Sequence, residues 1–246
     1  DLSGIGKDLS EIDAVVKQLV THYAATGARI IMLSEYGIVP VSQPVHINRL
    51  LRRHDLLGIR VERGLELLDA AASKAFAVAD HQVAHIYIND HTVEEKLRSI
   101  VSGLPGVALV LGREEQQKYH IDHERAGDLV LVADANSWFT YYFWLDDAVA
   151  PDYARVVDIH KKPGYDPVEL FMTSKARAGY KLLRKKLGFR YVMDVIPLDA
   201  TLVKGSHGSV LVPEAYHPVL ITDNAVDKTA ITAVDVYDVI WDHIAK

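Results

Sequence analysis

The chain has 246 residues, with 27 Lys and Arg against 33 Asp and Glu, a formal charge of −6 and no cysteine. Disulfides and thiolate chemistry are therefore excluded, and any bound metal must use His, Asp, Glu or other oxygen ligands. No apolar run approaches the roughly 18 residues a membrane helix needs, and the mixed, net negative charge argues against a surface that wraps a nucleic-acid duplex.

Ser10, followed by Glu11, Ile12, Val15, Val16, Leu19, Val20 and Tyr23, predicts a helix capped by Ser10 and ended by Gly27. Residues 28–33 (Ala-Arg-Ile-Ile-Met-Leu) read as a buried strand because the run is short and apolar. The strand stops at Ser34-Glu35-Tyr36-Gly37, a polar loop. Ligands of open α/β sheets gather at the carboxyl ends of strands, so Glu35 is well placed for chemistry. A helix is predicted over 44–57. Strands are predicted at 75–79 and 83–88, split by Asp80-His81-Gln82. An amphipathic helix at 93–101, a strand at 107–111 and a short polar helix through Lys118 follow. Residues 128–133 read as a buried strand, 139–145 as an aromatic one and 175–187 as a helix. Residues 191–196 and 209–212 are short strand candidates, and 229–244 a closing helix. Alternating helix and strand patterns favour a sheet layered between helices.

Ligand-type residues interrupt this pattern at a few places. Asp80-His81, with His85 four residues on, breaks an apolar stretch. Asp158-Ile159-His160 precedes Lys161-Lys162-Pro163-Gly164-Tyr165-Asp166-Pro167. Lys204-Gly205-Ser206-His207-Gly208 holds a His between glycines, which let the backbone turn tightly and leave the imidazole available to a ligand. A lone His on an apolar strand, such as His85, is ordinarily a satisfied structural residue. The dense aromatic run from Trp138 to Trp144 could stack a flat group, but core packing is its ordinary use.

Three stretches carry a family resemblance. Asp1-Leu2-Ser3-Gly4-Ile5, followed by the helix with Asp13-Ala14-Val15-Val16, resembles an Asp-x-x-Gly-His segment before a helix with a Val-Asp pair. Arg29 through Gly37 resembles a strand ending in Ser-Asp-His-Gly. Leu202 through Gly208, with Pro213 and Pro218 beyond, is similar to a Gly-Thr-His-Gly element. Together they resemble the type I phosphodiesterase/nucleotide pyrophosphatase branch of the alkaline phosphatase superfamily.

That resemblance implies a three-layer α/β/α sandwich with a mostly parallel central sheet. Residues 1–246 would form the C-terminal portion of this domain, with a smaller inserted α+β region at about 75–145. It implies a hydrolase of small-molecule phosphoesters with two divalent ions, zinc being the expected metal, and a Thr or Ser nucleophile. Two cations of this kind offset charge on phosphoryl oxygens. In the family the nucleophile and another metal-binding Asp lie upstream of the matched region, so the resemblance implies a nucleophile upstream of Asp1. The chain opens without Met close to a helix and reads as having lost an upstream segment. No secretory leader is visible, so a cytoplasmic location is expected.

Position by position, Asp1 and His207 match ligands of one ion, and Glu35 matches a ligand of the other. Ile5 and Tyr36 stand where the family has His, and Ile cannot coordinate. Asp80, His81 and His160 are supplementary metal candidates. Lys161, Lys162 and Tyr36 are candidates for substrate binding. A non-catalytic module that retains the fold and a phosphoryl-group transferase are the alternatives to hydrolysis.

Overall fold

A computed structural model describes residues 4–223 and 230–245. In chain order the elements are α1 (Gly6–Ala25), β1 (Ile31–Leu33), β2 (Val39–Pro40), β3 (Gln43–Val45) and α2 (Ile47–Arg53). Strands β4 (Gly58–Glu62), β5 (Leu65–Asp69), β6 (Ala75–Asp80) and β7 (Val83–Ile88) come next, then α3 (Glu94–Ser102), β8 (Val107–Leu111) and α4 (Arg113–Gln117). The remainder are β9 (Leu129–Ala133), β10 (Ser137–Phe139), α5 (Lys175–Lys186), β11 (Gly205–Ser206), β12 (Leu220–Thr222) and α6 (Val236–Ala245). Among the described residues no helix is long and apolar enough to cross a membrane.

The chain divides into two compact units, Asp1–Gly37 with Glu214–Lys246, and Ile38–Pro213. In the first, β1 pairs antiparallel with β12, Met32 opposite Ile221. Helix α1 begins at Gly6, earlier than the predicted Ser10 cap. Ser10 instead lies within the helix, and its Oγ donates to the Gly6 carbonyl at 2.9 Å. A Ser one turn inside a helix can bond back to the preceding turn, so a capping residue type need not mark a boundary.

The second unit is built on one four-stranded sheet in the order β6-β7-β9-β8, with every pairing antiparallel. The mostly parallel sheet that the resemblance implied is therefore corrected. The two residues His81 and Gln82 join β6 to β7, and so short a connection leaves only an antiparallel partner within reach. The one parallel pairing among the named strands is β10 with β3. The structure is mixed α/β.

Strand β9 is buried throughout, which explains its unbroken Leu-Val-Leu-Val-Ala. Trp138, Phe139, Tyr141, Tyr142, Phe143 and Trp144 are all sealed inside, so the aromatic run is core. Strand β6 is the sheet edge, and several of its outward backbone groups find partners elsewhere in the second unit. Ala75 N donates to the Leu56 carbonyl at 3.0 Å. Asn48 accepts from Ala77 N and donates to Ala77 O, both at 2.8 Å. Ala79 O accepts from Tyr165 N at 2.8 Å. An uncovered edge would template pairing with another chain.

His46 precedes α2, with its Nδ1 2.7 Å from the Thr140 hydroxyl and its ring 5.8 Å from that of Tyr142. Burial, and then the charges of Arg49 and Arg53, push its pKa down to about 4. The unfolded ring takes a proton near pH 6.5 and the folded ring only near pH 4. This contribution is therefore whole above pH 6.5 and is lost as the pH falls towards 4. Urea unfolding at pH 7 and pH 4.5 should show His46→Gln losing about 2 kcal/mol less on acidification than the parent chain.

Candidate functional site

The β6–β7 hairpin turns through His81 at φ +53°, a left-handed conformation that costs a residue with a Cβ about 1 kcal/mol. Local backbone bonds hold it there: the His81 carbonyl accepts from Phe139 N at 2.7 Å. Gln82, fully buried, donates its side-chain amide to Ser137 O at 3.0 Å and its backbone N–H to His207 O at 3.0 Å. Its side-chain oxygen accepts from Ser209 N at 3.3 Å. One buried amide thus ties the hairpin turn to the distant 207–209 segment.

That segment follows β11, which pairs with β2. Gly208 has φ +107°, so the glycine after His207 is required by the backbone. The outcome is a direct juxtaposition: the His81 and His207 ring centroids lie 3.9 Å apart, tilted by 35°. The Tyr165 ring lies 4.9 Å from His81. Asp80 is exposed, with Oδ1 3.9 Å from His81 Nε2, a Coulombic neighbour rather than a hydrogen-bond partner. The Nδ1 of His81 is buried and, among the described residues, has no hydrogen-bond partner.

Burial, reinforced by His207, holds the His81 pKa down at about 4. Burial lowers that of His207 as well, against the pull of Asp80. Both rings are neutral at pH 7, the form that can accept a proton or ligate a metal ion. Among the described residues, no three His, Asp or Glu side chains stand together in a group able to hold a metal ion. The pair offers two imidazoles, fewer than the three protein ligands a catalytic zinc site takes.

The other expected residues fall as follows. Asp1 lies outside the described residues. Glu35 and Tyr36 are exposed in the loop directly after β1, in the first unit, where the strand-end argument put them. Val219 N donates to Ser34 Oγ at 3.0 Å and anchors the start of that loop. His160 is exposed on the turn closed by Lys161 N donating to Asp158 O at 3.2 Å. Lys161 is exposed and pairs with Asp158 at 3.0 Å. His85 is structural: its Nδ1 accepts from Gly127 N at 3.0 Å.

Lys162 departs most from its expected role. Its side chain is fully buried, 3.1 Å from Asp166 and 2.5 Å from Glu169, and its ammonium sits 5.5 Å from the Tyr141 ring centroid. An ammonium matched by two carboxylates has no charge left over for a substrate phosphate. The spacing Lys162, Asp166, Glu169 was the available sign of this ion cluster. Tyr165 and Gln82 were not anticipated as parts of the site. The Pro163-Gly164 pair was the one local hint that Tyr165 is held by a turn.

A family model described as type I phosphodiesterase/nucleotide pyrophosphatase matches residues 3–166, more than half of the chain. The match takes in Glu35, Tyr36, His81 and Tyr165 and ends before His207. No curated protein matches at a significant level. Among solved structures, phosphonoacetate hydrolase from Sinorhizobium meliloti 1021, in complex with phosphonoformate, is 16% identical, with a TM-score of 0.48. That similarity covers 90% of this chain and 42% of the other. Murine ectonucleotide pyrophosphatase/phosphodiesterase 5 is 13% identical, covering 89% of this chain and 40% of that one, with a TM-score of 0.45. The human counterpart is 16% identical, covering 55% and 33%, with a TM-score of 0.40. The chain spans less than half the length of each. On the family match over most of its first two thirds, the chain belongs to the type I phosphodiesterase/nucleotide pyrophosphatase family.

Proposed function

We propose that this chain carries metal ligands of a phosphoester hydrolase acting on a phosphodiester, pyrophosphate or phosphonate bond of a small molecule. One observation carries the reading: on a chain of this family, two neutral imidazoles from distant segments, His81 and His207, face one another at 3.9 Å. In this reading His207 is a ligand and His81 its neighbouring donor. Asp1 and Glu35 are proposed as further metal ligands, and zinc as the metal. A bound divalent ion would offset charge developing on phosphoryl oxygens. The chain's own part is to hold the imidazoles neutral and in place; exposed Lys161 in the second unit and exposed Tyr36 in the first are each proposed as substrate contacts.

The test is zinc content of the purified chain by elemental analysis, alongside hydrolysis of bis(p-nitrophenyl) phosphate, with and without added zinc, by the protein that includes the upstream segment expected to carry the nucleophile. His207→Ala should lower both activity and bound zinc by at least about tenfold. His91→Ala, at an exposed position beside Glu94, should change neither. Unchanged zinc and activity in His207→Ala would refute the assignment. A second reading, a non-catalytic module that retains the fold, is favoured by Ile5 and Tyr36 at positions where the family has His. No bound ion in the chain, and no hydrolysis by the protein that includes the upstream segment, would select it.

A further inference from the structure

We propose that Tyr165 is a positioning residue for the His81–His207 pair, fixed in turn by the buried Lys162–Asp166–Glu169 clamp. The importance of the pair for metal rests on the reading above; the positioning itself rests on geometry alone.

The backbones of the two histidines are fixed by Gln82, but a backbone does not set the rotation of a ring. Tyr165, whose ring lies 4.9 Å from His81 at a tilt of 30°, supplies that second constraint. Its own placement is over-determined. Gly164 pairs with Ala79 as a one-residue parallel extension of the sheet edge. Gly164 has φ +119°, and a Cβ there would meet the Ala79 carbonyl oxygen at 1.9 Å, so only glycine permits this approach. Tyr165 N then donates to Ala79 O at 2.8 Å. On either side of Gly164-Tyr165 stand Lys162 and Asp166, joined at 3.1 Å with both side chains buried. Glu169 completes the cluster, and Asp166 also accepts from Val168 N at 3.2 Å.

A buried ion cluster is a poor source of stability, because desolvation offsets most of the Coulombic gain. Its directional contacts do, however, specify one register for the loop that carries Tyr165. Next to a ligand, supports of this kind set ring orientation and are typically worth 10- to 100-fold in metal affinity.

The experiment uses the full chain labelled with 15N-histidine, metal-free, in the parent, Tyr165→Leu and Tyr165→Phe forms. Tyr165→Leu should shift or broaden the ring signals of His81 and His207 while those of His46 and His85 keep their parental positions. Tyr165→Phe should restore both. Zinc affinity should fall about tenfold in Tyr165→Leu and recover in Tyr165→Phe. If Tyr165→Leu does not fold, Tyr165→Met removes the same ring with a more adaptable side chain. A folded Leu or Met variant whose His81 and His207 signals stay at parental positions overturns the proposal. Shifted ring signals in a chain whose parent binds no zinc would uphold the positioning and refute the metal reading.

Discussion

Lys162→Met should lower the stability of the chain by about 3–5 kcal/mol, the largest loss expected from any single substitution of a charged residue here. The reason is what remains behind. Methionine fills the space of the aliphatic stem, but Asp166 and Glu169 keep their carboxylates in a place where the Lys162 side chain was wholly shielded from water. Burial already raises the Asp166 pKa, with Lys162 pulling it back down. Without the ammonium, that carboxyl titrates higher still. A folded-state pKa raised above its unfolded value means stability lost as the pH rises through that range. The deficit of Lys162→Met should therefore be large at pH 7.5 and shrink at pH 5, where the orphaned Asp166 carboxyl takes up a proton. Urea unfolding followed by circular dichroism at the two pH values measures this. A deficit below about 1 kcal/mol at pH 7.5 would show that the ammonium is not buried among these carboxylates.

Asn48→Leu should cost about 2–4 kcal/mol. Asn48 is fully buried on α2, where it imitates the missing strand beside β6 by accepting from Ala77 N and donating to Ala77 O. Leucine has the same branching and number of side-chain heavy atoms but neither function, so a buried amide and a buried carbonyl lose their partners together. Unpaired buried groups of this kind each cost about 1–3 kcal/mol. Hydrogen exchange provides a local reading as well. The Ala77 amide should lose protection beyond the global loss, while amides of β9 at the sheet interior should follow global stability alone. Equal protection of Ala77 in both proteins would contradict the edge-capping role.

Much of this fold was readable because periodicity reports burial. Strands β6, β7 and β9 and helix α3 announce themselves through period 2, continuous apolar runs or a 3.6-residue stripe. Other parts were obscured for identifiable reasons. The β4–β5 hairpin turns at Arg63 and Gly64, both at positive φ, and an Arg in place of the usual Asn or Asp hides a two-residue turn. The helix predicted over 44–57 is shorter, because Gln43–Val45 is drawn into β3 by pairing with β10, a partner nearly a hundred residues away. The parallel sheet was carried over from the resemblance, and the alternating pattern beside it does not distinguish a crossover from a tight turn.

The site shows the same division. Glycine spacing around His207 was informative, because Gly208 does hold a conformation few other residues adopt. The partnership of His207 with His81 was not legible, since it depends on Gln82 bridging two segments far apart in sequence. Lys161 and Lys162 look alike in sequence, yet one is exposed and the other is the centre of a buried ion cluster. What separates them is the acidic spacing after Lys162, a local signal that two adjacent lysines mask.

The most direct examination of the metal reading is zinc K-edge X-ray absorption on the zinc-loaded chain. Coordination by His207 and His81 requires imidazole scattering with Zn–N distances of about 2.0–2.1 Å, reduced in His207→Ala. A shell made only of oxygen, or the same imidazole signal in both proteins, would contradict it.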